Sequence, residues 1–231
     1  MSDALDKLSG IKHLPIFPLP RVMLPGEVLP LHIFEERYRQ MLRDIENGTR
    51  MFGVSLFEPH ETFIERPATG TVGCVAELRE SELLPDGRSN IITIGVVRYR
   101  LIDYVEEGTP YLLGDVEFFE DDAAEKGTVE LADEVFLLFE RMAKAAFKMG
   151  GSRGTFPEIQ RSDPESLSFL ITAAYNFDND KKYHLLEMTS TRERLTELRE
   201  ILQQTVGQME DSADIQAVSR TNGHSKKKID L

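Results

Sequence analysis

Cysteine is nearly absent from this 231-residue chain, and tryptophan is absent altogether. The single cysteine, Cys74, rules out an internal disulfide and fits a reducing compartment. No stretch approaches the roughly 18 to 20 consecutive apolar residues that a membrane-spanning helix needs. The first residues also lack the basic and then apolar pattern of a signal peptide. We therefore expect a cytoplasmic protein.

Positive charge is scarce as well. The chain has 27 lysines and arginines against 40 aspartates and glutamates, which gives a formal net charge of −13. A surface of this sign repels the phosphate backbone, so nucleic acid is a poor first candidate for a partner. The charge does not select any particular protein partner.

The residues that usually hold metals or cofactors show no useful grouping. No two of the five histidines share a ligand spacing, and Cys74 has no cysteine or histidine near it in the sequence. His32 alternates with apolar neighbours and is interpreted as a partly buried strand residue, and Cys74 as a small buried core residue. We expect no metal, no cofactor and no catalytic residue.

The phosphate-binding loop of an ATPase is missing too. Such a loop is a glycine-rich turn that ends in Gly-Lys-Ser/Thr, and no such string occurs here. The nearest stretch, Gly150–Gly154, has no lysine and no helical pattern after it. It is interpreted as a flexible connection.

What the chain does have is a proline-rich opening. Prolines at 15, 18, 20, 25 and 30 stand among apolar residues and exclude a helix, so this stretch predicts short strands broken by turns. Pro25-Gly26 is a turn dipeptide. From Phe34 the apolar period becomes helical, which predicts a helix over 34–47 that stops at Asn47-Gly48.

The first half of the chain reads as strands. After a flexible leader over 1–12, apolar runs at 50–57, 71–78, 90–104 and 111–119 are typical of strands, with a mobile loop at 60–70 and a turn at Pro85–Gly87. Short strands with mixed connections favour a small, bent β pseudo-barrel over 13–119. Within the last long strand, alternation predicts Tyr99 inside and Arg98 and Arg100 outside.

The second half reads as helices. An acidic linker at 120–127 leads into a helical subdomain over 128–206, with capping boxes at Ser162–Glu165 and Ser190–Glu193. Residues 207–231 have no apolar period and are predicted to be a disordered tail. The fold class is therefore α+β, with a pseudo-barrel followed by a helical bundle.

Two stretches of the opening carry a family resemblance. Phe17-Pro-Leu-Pro and the run Leu24-Pro-Gly-Glu-Val-Leu-Pro-Leu-His-Ile-Phe-Glu-Glu-Arg-Tyr38 resemble the start of the Lon-protease amino-terminal domain, the LON substrate-binding domain. Residues 164–174, 182–186 and 193–195 are similar to its helical half, so the resemblance spans about 14–206. It implies a PUA-like barrel followed by helices. Met23-Leu24 stands where the family often has an extra aromatic residue.

The resemblance implies a non-catalytic protein-binding module that recognises protein or peptide segments in quality control or assembly. Because no ATPase loop and no Ser–Lys protease region are seen, a stand-alone LON domain without hydrolytic activity is expected. A separate protease or chaperone is an expected partner, and a homo-oligomer stays open. Two alternatives are an RNA-binding PUA-like domain and a component assigned by kinship to an ATP-dependent peptidase system.

The resemblance assigns a role to a region and not to individual contacts. We expect binding at the seam between the barrel and the helical half, where residues of the turn, the first helix and one strand form the walls. Each of these residues, taken alone, also suits a place in the core. The predicted binding residues are Met23, Leu24, Glu27, Phe34, Tyr38, Met51 and Phe57.

Overall fold

The structure is a computed structural model that describes residues 3–58, 66–123, 125–150 and 155–222. Most of the predicted loop at 60–70, all but the first residue of Gly150–Gly154, and the end of the predicted tail with Lys226–Lys228 lie outside the described residues.

The described elements alternate at first between strand and helix and then become helical. The strands are β1 Leu14–Leu19, β2 Val28–Ile33, β3 Met51–Leu56, β4 Val72–Leu83, β5 Ser89–Val105 and β6 Leu112–Phe119. The helices are α1 Asp3–Leu8, α2 Glu36–Glu46, α3 Thr128–Met149, α4 Pro164–Ala174, α5 Asn179–Glu187 and α6 Thr191–Asn222.

The strands form a mixed sheet that closes on itself. The order is β2-β5-β4-β3-β1-β6, and β6 pairs again with β5, so five strands make a ring. β2 pairs with the first part of β5, before the part that pairs with β6. β1 and β3 are parallel and the other pairs are antiparallel. Register shifts in the β4–β5 and β5–β6 pairs bend these long strands. The predicted pseudo-barrel is confirmed.

Tyr99 of β5 fills the inside of the ring. Its ring lies so close to Gly53 and Gly73 that a Cβ on either would come within 2.7 Å of it. Its hydroxyl is hydrogen-bonded to Ser55 Oγ at 2.6 Å. Two strand glycines therefore make room for one large aromatic, and a serine satisfies its polar end.

The chain divides into two compact units. The first contains 1–122 and Thr172–Thr189, and the second contains 123–171 and 190–231. In the second, α3 packs on α6 through apolar stripes that the sequence period indicates. Val135, Phe139, Leu195, Leu198 and Leu202 are buried there. The fold class is α+β, as predicted.

Segment Thr172–Thr189 differs from the predicted division, which placed it with the helices over 128–206. It belongs to the first unit because specific polar contacts hold it there. The Val72 N–H donates to the Tyr183 hydroxyl at 3.0 Å, and Asn179 Nδ2 donates to the Pro20 carbonyl at 3.1 Å. The helical period of this segment does not reveal which unit it joins.

Three helix boundaries differ from the sequence expectation. Asp3–Leu8 in the predicted leader is helical, with Leu8 buried in the apolar cluster that includes Leu14 and Val97. α2 begins at Glu36 rather than at 34. α6 continues to Asn222, into the tail predicted over 207–231. Within the described residues, no helix is long and apolar enough to cross a membrane.

Candidate functional site

The seven predicted binding residues fall into two groups by exposure. Phe34 is 60% exposed, and Glu27 and Phe57 are half-buried. The other four are buried, and the role of the set in binding stays a prediction. The buried four are Met23, Leu24, Tyr38 and Met51.

The predicted Pro25-Gly26 turn is present and begins β2. The Glu27 N–H donates to the Leu24 carbonyl at 3.1 Å, and Gly26 has φ +77°, which suits the third position of a type II turn. The Glu27 carboxylate accepts the Leu24 N–H at 3.0 Å and the Arg21 guanidinium at 2.7 Å. The Glu27 carboxylate therefore stabilises the turn.

Gly95 of β5 receives this turn. The Gly26 N–H donates to the Gly95 carbonyl, and the Gly95 N–H donates to the Glu27 carbonyl, both at 2.9 Å. A Cβ at position 95 would lie 2.1 Å from the Leu24 carbonyl oxygen. Only glycine allows the turn to approach β5 this closely, and that approach fixes where β2 starts.

β2 alternates between two environments. Leu29 and Ile33 are buried, whereas Val28, Pro30 and His32 are exposed, with Val28 at 59%. The register places Val28 opposite Ile94, and Pro30 opposite Ile92, on β5. Paired residues share one face of a sheet, so a mostly apolar strip covers this face of the two strands. We call it the β2 surface: Val28, Pro30, His32, Phe34, Ile92 and Ile94.

Phe34 extends this strip beyond the end of the strand. Its ring stacks against the His32 ring, with 6.2 Å between centroids and an interplanar angle of 24°. His32 Nδ1 lies 2.8 Å from Asn90 Oδ1, and Asn90 Nδ2 donates to Glu82 at 3.3 Å. An amide oxygen only accepts, so His32 carries its proton on Nδ1. His32 is exposed, and its ring is hydrogen-bonded to Asn90. The interpretation of His32 as a partly buried residue is therefore wrong.

Carboxylates flank the β2 surface on β4. The register sets Glu77 opposite Ile94, Glu80 opposite Ile92 and Glu82 opposite Asn90. Glu77 lies near two cations, Lys7 at 3.7 Å and Arg79 at 3.1 Å. The apolar strip thus has an acidic border, and most of that border is exposed.

Phe57 belongs to a separate feature, a cavity of about 310 Å³ at the end of β3. Leu56, Pro67 and Ala68 add apolar wall, and Arg66, Thr71 and two residues of α5 add polar groups. The rim is fixed on one side, since Tyr104 donates to the Pro67 carbonyl at 2.7 Å. Burial raises the pKa of Tyr104 to about 12, so the hydroxyl stays a donor at neutral pH.

Arg98 and Tyr99 do not lie on a ligand-accessible surface. Arg98 is 1% exposed, against the prediction that it faces outward, because α5 and the chain after β6 cover that face of β5. Tyr99 lies inside, as predicted, and burial raises its pKa. Only Arg100 of this trio is partly exposed, and it donates to the Gly70 carbonyl at 3.2 Å.

Cys74 is a buried core residue, as predicted. It is fully buried, and burial raises the pKa of its thiol, so the reactive thiolate is disfavoured. Across the part of the chain that the structure describes, no three histidine, cysteine, aspartate or glutamate side chains are grouped so that they could hold a metal.

Sequence reasoning missed five of the six members of the β2 surface: Val28, Pro30, His32, Ile92 and Ile94. The signal that could have found them is weak, because both β2 and its partner stretch on β5 are apolar on both faces. Pro30 inside an apolar strand was the available clue. It does not single out β2, because β1 contains Pro15 and Pro18 and pairs with a strand on each side.

Comparison with known proteins agrees with this architecture. The family model of the ATP-dependent protease La (LON) substrate-binding domain matches residues 13–204. The chain is 26% identical to a Lon protease of Cytophaga hutchinsonii over 94% of its length, and 28% identical to one of Anaeromyxobacter dehalogenans over 82%. It spans only about a quarter of these relatives, 27% and 23% of their lengths. The matching region is their amino-terminal part.

Solved structures show the same fold. A Lon N-terminal domain protein from Xanthomonas campestris aligns with a TM-score of 0.58 and 23% identity, over 80% of this chain and 96% of that one. The N-terminal domain of Mycobacterium avium complex Lon protease gives 0.60 and 18%, over 83% and 98%. Together with the family match over most of the chain, this confirms the resemblance seen in the opening residues. The chain belongs to the LON substrate-binding domain family.

Proposed function

We propose that this chain is a non-catalytic protein-binding domain that recognises unfolded polypeptide segments through the β2 surface. The observation that carries the proposal is the exposure of Val28 and Phe34, at 59% and 60%, beside the half-buried Ile92 and Ile94. Apolar side chains grouped on one exposed strip are typical of a surface that a partner covers. The family's description as a substrate-binding domain supports the same role.

The expected binding free energies favour a client with apolar side chains. Burying a side chain of the size of Phe34 stabilises a complex by about 1.5–3 kcal/mol, which corresponds to roughly ten- to a hundredfold in affinity. The carboxylates of β4 contribute less, because exposed ion pairs are worth about 0–1 kcal/mol each. Apolar contact therefore supplies most of the affinity, and charge adjusts which clients are preferred.

The proposal includes the wider setting inferred from the sequence. Clients bound here are passed to a protease or chaperone on another chain, in the cytoplasm. The seam residues predicted from the sequence enter as supports of this surface: Tyr38 and Met23 pack in the core cluster that also contains Leu29 and Ile33 of β2.

The test uses the purified full chain and reduced, carboxymethylated α-lactalbumin as a permanently unfolded client, with binding followed by fluorescence anisotropy. Phe34→Asp and Val28→Asp are each expected to weaken binding about tenfold or more. Ile102→Asp is the matched control, because Ile102 is also a large exposed residue at 51% and lies outside the β2 surface. Circular dichroism verifies that all three variants fold.

Binding that Ile102→Asp weakens as much as Phe34→Asp does would show general stickiness and refute a defined site. No measurable binding of the unfolded client by the unaltered chain would refute the proposed function itself.

A further inference from the structure

β2 is the edge strand of the sheet. It pairs with β5 on one side, and among the described residues no strand pairs with its other side. An edge strand of this kind presents a row of backbone N–H and C=O groups to whatever lies beside it.

The register identifies which residues present these groups. The Gly95 N–H donates to the Glu27 carbonyl, so the hydrogen-bonded pairs that follow along β2 are Leu29–Thr93, Leu31–Ile91 and Ile33–Ser89. The hydrogen bonds between β4 and β5 agree with this assignment. The Leu84 N–H donates to the Arg88 carbonyl, so the hydrogen-bonded pairs that follow are Glu82–Asn90 and Glu80–Ile92. The backbone groups of Asn90 and Ile92 therefore point toward β4.

The outward groups of β2 therefore belong to Val28, Pro30 and His32. They comprise two N–H donors, from Val28 and His32, and three carbonyl acceptors. None of these groups has a hydrogen-bond partner within the described ranges. Pro30 stands at a position where a strand tolerates proline, since its missing N–H would point away from the sheet.

We propose that an extended segment of a client polypeptide adds to this edge as a further strand of the sheet. The inference rests on the proposed function and gives it a binding mode. Donors and acceptors that recur every second residue, about 6.6 Å apart, match the backbone of an extended chain and not that of a helix. Three outward residues pair with a segment of about five or six residues.

The β2 surface defines the side chains that such a segment carries. Once added, its alternate residues lie on the same face as Val28, Pro30 and Phe34, so apolar residues at every second position are selected. The residues between them face the other side. The client class is thus an extended segment with alternating apolar residues, the pattern of an unpaired β-strand in an unfolded protein.

A second copy of β2 is a poorer occupant than a client strand. In the symmetric antiparallel pairing that overlaps two β2 edges fully, Pro30 of one copy lies opposite Pro30 of the other. Neither proline has an N–H, so both central hydrogen bonds are lost. A client with an N–H opposite the Pro30 carbonyl keeps one of them.

The test compares His32→Pro with His32→Ala in the full chain. Proline removes the outward N–H and leaves the ladder to β5 intact, whereas alanine removes the same side chain and retains that N–H. With carboxymethylated α-lactalbumin as client, His32→Pro is expected to bind about three- to tenfold more weakly than His32→Ala, the equivalent of one backbone hydrogen bond. NMR amide exchange of the unaltered chain supplies a second readout: the Val28 and His32 amides gain protection when the client binds.

The outcomes separate the two proposals. If the unaltered chain binds the client and Phe34→Asp weakens binding, the proposed function stands. If His32→Pro then binds as well as His32→Ala, and the Val28 and His32 amides gain no protection, strand addition is refuted. Should His32→Pro fail to fold, the amide exchange of the unaltered chain decides. A dimer in which these amides are protected without any client would instead identify a second copy as the occupant.

Discussion

Arg98 shows at the scale of one residue how the barrel unit is held together. Its guanidinium donates to Asp121 at 2.5 Å and to the carbonyls of Leu186 and Met188 at 3.1 and 2.6 Å, and it lies 4.6 Å from the Phe119 ring centroid. The Asp121 side chain is also buried, at 3% exposure. One cation thereby joins β5, the chain after β6 and the end of α5.

Arg98→Leu is therefore expected to destabilise the protein by about 3–5 kcal/mol, because it removes the guanidinium that balances the charge of the buried Asp121 carboxylate. Adding Asp121→Asn should recover part of this loss, since it removes the carboxylate charge from the buried site. Arg100→Leu is the matched control and should cost about 1 kcal/mol, as Arg100 makes an exposed hydrogen bond. Urea unfolding measures all three. A loss for Arg98→Leu no larger than that for Arg100→Leu would contradict this account.

Alternation along β5 predicts the inward position of Tyr99 and misplaces Arg98. The reason is physical: a barrel strand that a helix covers from outside is buried on both faces, so period 2 no longer separates core from solvent. A buried arginine also gives no local signal, because its partners Asp121, Leu186 and Met188 lie 23 to 90 residues away.

At the scale of elements, the turn and β2 form one unit with Gly95. The sequence predicts the Pro25-Gly26 turn from its residues alone, and the structure confirms it. The sequence does not predict that the turn packs against Gly95, because that contact joins positions far apart in the chain. The exposed face of β2 depends on this contact, since the contact sets the register that turns Val28, Pro30 and His32 outward.

Gly95→Ala is expected to lower the free energy of unfolding by about 1–3 kcal/mol or more, because the added methyl would overlap the Leu24 carbonyl oxygen. Gly207→Ala is the comparison. Gly207 lies within α6 with no atom within 4 Å of an added Cβ, so alanine there should stabilise the helix by about 0.5–1 kcal/mol. Urea unfolding curves of the two variants give the result. Equal effects at both positions would contradict a tight contact between the turn and β5.

At the scale of the whole molecule, the order of elements was largely predictable and the assignment of surfaces was not. Apolar periods and capping residues indicate the strands and helices, and the family resemblance supplies the barrel. Ring closure, the edge position of β2 and the membership of Thr172–Thr189 in the first unit depend on pairing between distant segments. Such pairing leaves no periodic trace in a single sequence, which is why the candidate surface emerges only from the register.

The net charge of −13 has a consequence for client choice. An acidic molecule with glutamates beside its binding strip should attract basic unfolded clients and repel acidic ones. Of two unfolded probes with the same apolar pattern, one rich in lysine and one rich in glutamate, the lysine-rich probe is expected to bind more tightly at 50 mM salt. The difference should shrink by 500 mM salt, where the screening length falls to about 4 Å, while the apolar contribution persists. Anisotropy titrations at the two salt concentrations measure the difference in affinity between the two probes.

Glu80→Gln with Glu82→Gln should narrow the low-salt difference. The matched control is Asp103→Asn with Glu106→Gln, which changes two exposed carboxylates at the other end of β5 and should leave most of the difference in place. If all four carboxylates act alike, the selectivity comes from the total charge rather than from the border of the β2 surface.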